Sequence, residues 1–598
     1  MKNLFLPVSK QDFRIRGWKE PDVILVSGDA YVDHPSYGTA VIGRMLEDSG
    51  FKVGIIAQPD WRKPDDFLEF GRPRLFFGIT AGNLDSMLAN YTASKKPRRE
   101  DEYSPGGKAG LRPNRAVIVY ANRLRELFPG VPLVLGGIEA SLRRLAHYCY
   151  WDDAVRRSVL LDAKADILVY GMGEKPVTEI AVRLRCGEKI NELNDIRGTV
   201  VARSGTDGFE NAVTIPSFDE TKADSGKFNE AFTAAYREAD PFRGRTVIQK
   251  HGDRFVIQLP PPLPLAESEM DRIYELPYLR AWHPAYDRAG GVPGFETVKF
   301  SVVSHRGCSA ECSFCSLYSH QGRMIQSRSR KSILREVRLL AAREDFRGTI
   351  TDIGGPTANL YAASCEKWAA GGACRDRQCL MPGKCANLRL GYDEAIALWE
   401  EVLAVPGVKH LFVSSGLRYD LLIEKYSDAY LKALCEKHVS GRLKVAPEHC
   451  VPSVLEQMNK TPFSAYEKFV RRFKEMNKAL GKEQYLVNYL ISAHPGAGLN
   501  EALDLALCMA KRHARPEQVQ DFIPLPMTAS ACMYHTGRNP FTGEKVYAAK
   551  SYAERQMQRA LLQPRQEKNR KWVLEALSRL NRRDLQVVLC GHSFRGKR

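Results

Sequence analysis

Three cysteines, Cys308, Cys312 and Cys315, stand within eight residues in the stretch TVKFSVVSHRGCSAECSFCSLYSHQGR (297–323), spaced C-x3-C-x2-C. Thiolate is the soft ligand that iron–sulfur clusters select, and three thiols on one loop can converge on one centre. A four-iron cubane held by three thiolates keeps one iron open for a substrate-like ligand, so the count points to chemistry and not only to a staple. Half of a zinc site, or ordinary buried thiols, is the plainer alternative. Three cysteines at this spacing directly after a strand weigh against it.

Four more cysteines follow. Cys365, Cys374, Cys379 and Cys385 run as C-x8-C-x4-C-x5-C within 21 residues. Lys367, Lys384 and three arginines lie nearby, and no apolar strand is present to bury inert thiols. An auxiliary iron–sulfur cluster and a tetrahedral zinc site with four thiolates both fit, and the spacing does not decide between them. A structural metal staple for a long loop is the bland reading.

The elements that must position these residues alternate regularly. Strand-like runs at 298–303, 348–353, 411–414, 443–446, 485–491 and 519–523 are separated by helix-length segments at about 330–343, 392–403, 421–435, 454–479 and 501–512. Ile333, Val337 and Leu340 make an i, i+4, i+7 stripe in the first of these. Repeated right-handed βα units curl into a barrel, and six are too few to close the eight-stranded form, so a partial barrel is expected. In such barrels the ligand groups come from the C-terminal strand ends. Those ends read Cys308 onward, Asp352-Ile-Gly-Gly-Pro356, Ser414-Ser-Gly416, Ala446-Pro-Glu-His449 and Ser492-Ala-His-Pro-Gly496. Ser414, Glu448 and His494 are candidates for ribose, carboxylate or substrate contacts; each has the alternative of a loop residue bonded to backbone.

Ahead of the barrel, 22–27, 52–57, 74–79, 132–135 and 166–170 are short apolar strands with helices at 37–49 and 115–128 among them. Such a series implies a parallel sheet covered on both faces, with strand-end glycines (Gly28, Gly78, Gly136, Gly137, Gly171, Gly173) along the ligand-binding edge. The fold class is therefore α/β: a flavodoxin-like sheet domain at 1–195, a connecting segment at 196–296, a partial (βα)6 barrel at 297–525 carrying the four-cysteine insertion, and a basic helical extension at 526–598. Residues 95–115 and 203–225 read as surface loops, and 258–265 as an extended Pro-rich strut. The aromatic segment 270–286, with His283, is expected to pack against the barrel.

Charge and cysteine usage bound the function classes. The chain has 598 residues and a formal charge of +18, and 14 Lys and Arg against four Asp and Glu fall at 545–598. A basic tail can dock RNA, or it can be a solvated helix pair packed through Trp572, Leu574, Leu577 and Leu580. No apolar run reaches the roughly 20 residues of a membrane span, so no membrane partner is expected. The N-terminus is soon interrupted by charge and does not read as a signal peptide, which makes the cytoplasm the expected location. Fourteen cysteines there suit metal and redox chemistry better than disulfides.

The CSAECSFC loop, with Phe314 before its last cysteine, resembles the signature of the radical S-adenosylmethionine (SAM) enzymes. The order of parts, the four-cysteine insertion and the endings VAPEHC and LISAHPG together resemble the YgiQ-type (UPF0313) radical SAM proteins over essentially the whole chain. The resemblance implies a [4Fe-4S] cluster on Cys308, Cys312 and Cys315, SAM on the open iron, and reductive cleavage to a 5'-deoxyadenosyl radical, with an electron donor such as flavodoxin or ferredoxin. It names no substrate, small or macromolecular. Gly354 and Gly355 resemble the superfamily's Gly-Gly-Glu element, whose backbone contacts the SAM amino group, although Pro356 replaces the acid. A flavodoxin-like domain in this position also resembles the cobalamin-binding subgroup. The D-x-H-x-x-G lower-ligand motif is not met, because Asp33-His34-Pro35-Ser36-Tyr37-Gly38 puts proline where the histidine belongs. Cobalamin held without a protein ligand stays open, and His34 reads as a loop residue. The competing readings are an RNA-modifying radical SAM enzyme that uses the basic tail, and a non-catalytic iron–sulfur redox protein.

Overall fold

The computed structural model describes residues 4–591 apart from Asp376, His513 and Arg515. The end of the expected basic extension, with Arg595, Lys597 and Arg598, lies outside the described residues. The chain divides into two compact units. The first runs to Gly307 and includes Ser316–Leu340 and Lys367–Ala373; the second holds Cys308–Cys315, Ala341–Glu366 and the chain from Cys374 on.

The first unit is built on a nine-stranded sheet. Its strands are β1 (Val23–Ser27), β2 (Val53–Ala57), β3 (Phe76–Thr80), β4 (Leu133–Leu135), β5 (Ile167–Val169), β6 (Thr199–Arg203), β7 (Val213–Ile215), β8 (Val247–His251) and β9 (Arg254–Gln258). They lie in the order β7-β8-β9-β6-β5-β4-β3-β1-β2. The first five are parallel in the order 2-1-3-4-5, with Val23 opposite both Val53 and Phe76, which is the flavodoxin-like arrangement. Every residue of β1 is buried, as expected of a continuous aliphatic run covered on both faces. Helices α1 (Gly38–Asp48), α2 (Ala116–Leu127) and α3 (Glu174–Arg185) supply apolar cover, through Ala40 and Leu46, Val117 and Leu124, and Val177 and Ile180.

The sheet does not stop near residue 195. Residues 196–296, expected as a connecting segment, extend it by four strands: β6 runs antiparallel to β5, β9 to β6 and β8 to β9, and β7 closes parallel to β8. Part of 203–225, expected as surface loop, is therefore sheet. The segment 270–286, expected against the barrel, packs on two sides. A helix at Glu267–Tyr274 packs Met270, Ile273 and Tyr274 against Val41 and Met45 of α1, and Ala281–Trp282 pairs with Val32–Asp33. Val303 packs on the same helix, Arg306 donates to the Tyr274 hydroxyl at 2.9 Å and Ser329 N donates to Asp271 at 2.9 Å, so residues read as the start of the barrel hold it as well. Strand β10 (Ser301–Val303) and helix α4 (Arg330–Ala341) complete the unit, and Ile333, Val337 and Leu340 of α4 are buried as the stripe requires.

In the second unit, β11 (Thr349–Ile350), β12 (Asp352–Gly354), β13 (His410–Leu411), β14 (Arg442–Glu448), β15 (Tyr485–Ser492) and β16 (Gln518–Asp521) follow the expected series. β11 pairs parallel with β13, a parallel bridge joins Leu417 to Val445, and β14, β15 and β16 form a parallel run. Helices α5 (Tyr392–Leu403), α6 (Pro452–Gln457), α7 (Phe463–Leu480) and α8 (Leu499–Lys511) alternate with them. The helix expected at 421–435 is broken into a 3-10 turn, a short α-helix at Asp428–Ala433 and a π turn at Leu434–His438. After α9 (Ala529–Thr536), the basic helices α10 (Tyr552–Leu562) and α11 (Arg570–Arg579) bury Met557, Leu561, Val573 and Leu577 against Ala502, Leu503 and Ala506 of α8. Leu574, expected on the packed face, is exposed. Among the described residues no helix is long and apolar enough to cross a membrane.

Candidate iron–sulfur centre

The cysteine loop is held by the end of α6. A helix terminus leaves its last carbonyls without intrahelical donors, and here the loop supplies them. Ser313 N donates to Met458 O at 3.0 Å, Ser313 Oγ donates to Gln457 O at 2.6 Å, and Asn459 Nδ2 donates to Glu311 O at 2.8 Å. On the other side, Ser530 of α9 donates its N–H to Ser313 O at 2.9 Å, and the two serine hydroxyls lie 2.7 Å apart. A turn with Cys315 N on Cys312 O at 2.9 Å brings the last two cysteines together. Glu311 takes a left-handed φ of 51° within the loop. None of the three cysteines is in a disulfide, and all are half-buried.

Two side chains address their sulfurs. Arg418 Nη1 donates to Cys312 Sγ at 3.5 Å, and Thr357 Oγ1 lies 3.9 Å from Cys308 Sγ. Burial, and next the neighbouring Cys312, push the Cys308 thiol up, while Arg418 and Thr357 oppose them. Arg418 is locked in place: Asp420 takes it bidentately at 2.9 and 2.6 Å, and Asn359 bonds both its backbone N–H and its carbonyl at 3.0 Å. Burial works against the guanidinium's charge, but Asp420 and Cys312 more than offset it, and the group is raised above the usual arginine range. Sequence reasoning passed over Arg418. Its signal was a cation two residues past the Ser414-Ser-Gly416 strand end.

The other candidates divide. His494 is fully buried, and burial takes its pKa down to about 3. Nδ1 lies 2.7 Å from Pro495 O, so the proton of the neutral ring sits there and Nε2 accepts from Ser530 Oγ at 2.7 Å. Its ring also meets Phe314 edge-on at 5.8 Å. His494 thus braces Ser530, which braces Ser313, so it is placed to position the loop. Glu448 ends β14 with a left-handed φ of 64° and is buried. Burial raises its carboxyl, opposed by Lys460, whose Nζ stands 4.0 Å away, and by Arg418. Strain of that kind in a non-glycine residue is tolerated where the surroundings over-determine it, and such positions cluster at functional sites. Ser414 is exposed and uses its hydroxyl on Thr351 O at 2.7 Å, which is the loop-residue alternative. Gly354 lies so close to Ser415 that a Cβ would come within 2.4 Å of its hydroxyl, and Gly355 follows in a bend. Asp352 is the hub here. It accepts from Ser414 N at 2.8 Å, Ser415 N at 3.1 Å and the Ser415 hydroxyl.

The second set is gathered too. Ser364 and Arg389 bridge antiparallel and close the insertion, and Cys385 N donates to Cys379 O at 2.8 Å. The Cys379 thiol is pushed up to about 12, by burial first and then by Glu311, Cys365, Cys374 and Cys385. Glu311 and the other three cysteines thus each bear on Cys379. Among the described residues no three His, Cys, Asp or Glu side chains converge closely enough to cage a single metal ion. A cubane takes its thiolates at separate corners and is wider than an ion. The donor chemistry suits it: three half-buried sulfurs on one loop, with Arg418 and Thr357 addressing two of them.

The expected ligand edge of the first unit is filled by the protein itself. Arg112, with its side chain fully buried, donates to Asp29 at 2.6 Å, to Asp101 at 3.0 Å and to Ala81 O at the switch point between β1 and β3. A Cβ on Gly28 would fall 2.3 Å from Ala81 O, and one on Gly137 would fall 2.3 Å from the Thr80 hydroxyl. Part of 95–115, expected as surface loop, is therefore a plug of paired charges. His34, read as a loop residue, is buried against Arg280 Nη1 at 3.0 Å.

Residues 5–301 match the family model described as Radical SAM N-terminal, and residues 517–588 match a domain of unknown function, DUF3362. A UPF0313 protein of Clostridium botulinum (strain ATCC 19397 / Type A) is 49% identical over 586 residues, covering 98% of this chain and 91% of that one. One from Methanocella arvoryzae is 50% identical over 578 residues, covering 97% and 96%. Among solved structures, the radical SAM methyltransferase TsrM from Kitasatospora setae with cobalamin and a [4Fe-4S] cluster matches with a TM-score of 0.49 at 16% identity, over 86% of this chain and 79% of that one. The cobalamin-dependent SAM radical enzyme OxsB with aqua-cobalamin matches with a TM-score of 0.46 at 12% identity, over 86% and 55%. With half of its residues identical to theirs over nearly their full length, the chain belongs to the UPF0313 family of radical SAM proteins.

Proposed function

We propose that this protein is a radical SAM enzyme whose Cys308, Cys312 and Cys315 hold a [4Fe-4S] cluster. When bound, the cluster supplies the electron that cleaves SAM to the 5'-deoxyadenosyl radical, which acts on a substrate still to be identified. The observation that carries the reading is the loop itself: three cysteines outside any disulfide, fixed through Ser313 to the end of α6, with the buried Arg418 donating to Cys312 Sγ at 3.5 Å. Arg418 keeps positive charge beside a thiolate that carries more negative charge when the centre is reduced. Glu448 and Lys460 form a buried polar pair beside Arg418, suited to the charged groups of an amino acid. Gly354 and Gly355 offer backbone at the end of β12.

Cys365, Cys374, Cys379 and Cys385 hold a second centre; because no three described side chains converge on a single ion, an auxiliary iron–sulfur cluster fits them better than zinc, which is the alternative. Anaerobic reconstitution with iron, sulfide and zinc quantified tests both assignments. Alanine at Cys308, Cys312 and Cys315 should remove one cubane, and alanine at the second four should remove the other metal and spare the first. Unchanged iron in the first variant would refute the assignment.

RNA as substrate is a second reading. Arg565, Lys568, Arg570 and Lys571 are exposed on the connection from α10 into α11. Binding of tRNA through them should weaken steeply with salt, and no binding at low salt would end this version.

A further inference from the structure

Neither metal reading uses the thiol pair at the back of the strand ends. Cys450 follows β14 by two residues and leads into α6, and Cys508 lies in the last turn of α8. Each thiol is the group that most strongly shifts the other's ionisation. They border one apolar cluster around Leu490, Leu505 and Met509, and both are free and half-buried. Arg512, one turn on from Cys508, places Nη1 3.1 Å from the Cys508 sulfur and is braced by Glu467.

A guanidinium against one sulfur polarises the pair. Cys508, beside Arg512, becomes the thiolate, and Cys450 stays the thiol. The Cys508 thiol is lowered to about 7, by the hydrogen bond from Cys450 first and by Arg512 against the opposing burial, while donating that bond pushes Cys450 up. A thiolate with a thiol in contact is the arrangement that oxidises through a sulfenic acid and then resolves.

We propose that Cys450 and Cys508 form a redox-active dithiol that closes to an intramolecular disulfide under hydrogen peroxide. The Cys508 thiolate attacks one peroxide oxygen and the O–O bond breaks. Hydroxide leaves and takes a proton to become water, and Cys508 is left as the sulfenic acid. The Cys450 sulfur displaces the hydroxyl, the S–S bond forms, and the Cys450 proton departs with it as the second water. Two thiols lose two electrons and two protons, and the peroxide is reduced to two waters.

The position couples this pair to the cysteine loop. Cys450 opens into α6, whose last carbonyls, on Gln457 and Met458, hold Ser313. A bond to α8 ties down the front of the helix whose end grips the loop. That consequence rests on the cluster reading; the disulfide itself does not.

The test is brief exposure of the reconstituted full-length protein to equimolar hydrogen peroxide at pH 7, then alkylation and peptide mapping by mass spectrometry. The expected product is a Cys450–Cys508 cross-linked peptide, two hydrogens lighter than the separate peptides, appearing before the exposed Cys186 is oxidised. Cys450→Ser should stop at a Cys508 sulfenic acid that dimedone traps, and Arg512→Met should slow cross-linking several-fold at pH 7. Oxidation of Cys186 first, with no cross-linked peptide, would overturn the proposal whatever the metal content proves to be.

Discussion

Arg418 donates to the Cys312 sulfur at 3.5 Å while gripping Asp420 with two other nitrogens, at 2.9 and 2.6 Å. A buried cation so fixed favours the more negative state of whatever that sulfur ligates. A hydrogen bond to a charged group contributes roughly 1.5–3 kcal/mol. Arg418→Met should therefore lower the midpoint potential of the one-electron couple by on the order of 60–130 mV. Arg418→Lys, which keeps the charge, should lower it less. An EPR-monitored redox titration of the reconstituted protein checks both.

His494 braces the same loop from the other side through Ser530, at 2.7 Å. His494→Ala leaves the Ser530 hydroxyl without its acceptor and removes the ring that Phe314 meets. Hydrogen exchange across 308–315 should quicken, iron retention should fall, and stability should drop by roughly 1–3 kcal/mol. Exchange mass spectrometry with and without bound iron separates the loop effect from general destabilisation.

The buried histidines set an acid limit. Burial takes His147, His449 and His494 down to about 3, with Arg143 also lowering the first and His494 the second. Unfolded, each would take a proton near pH 6.5, whereas folded it stays neutral until near 3. Between those values the unfolded state binds more protons, so the stability they contribute is complete above pH 6.5 and is lost as pH falls. Each costs about 2 kcal/mol by pH 5. The melting temperature should be flat from pH 8 to 7 and fall steeply below 6.5. Tested in the first unit, away from the cysteine loop, His147→Gln should flatten part of that slope.

Arg112 closes the crevice between β1 and β3 by pairing with Asp29 and Asp101. Burial pushes the Asp29 carboxyl up more than Arg112 pulls it down, so the pair is held under a desolvation load. Arg112→Met leaves two buried carboxylates without a cation and should cost roughly 3–5 kcal/mol. Adding Asp29→Asn and Asp101→Asn should restore part of it. Denaturant unfolding measures the series.

Much of this was legible in the sequence because aliphatic runs such as Val23–Ser27 have one physical solution, a strand buried on both faces. The barrel series was legible for the same reason, and the cysteine spacing announced the loop. The four strands after residue 196 were legible in part. Val247–His251 and Arg254–Gln258 are joined by Gly252-Asp253, a two-residue hairpin loop, but polar Lys250, His251 and Arg254 blurred the pattern. Arg112 was not legible, and Arg418 only by its place two residues past a strand end. Lone arginines in polar stretches read as surface, and their burial depends on carboxylates that the fold brings together: Asp29 lies 83 residues from Arg112. Ser414 shows the converse, since a polar residue at a strand end carries no sign of whether it faces ligand or backbone.

The central claim is tested most directly by incubating the anaerobically reconstituted protein with SAM and dithionite and measuring 5'-deoxyadenosine. Wild type should form it, and the Cys308→Ala, Cys312→Ala, Cys315→Ala variant should form none while keeping the metal of its second cysteine set. Equal product from that variant, or none from wild type with a full complement of iron and sulfide, would contradict the account.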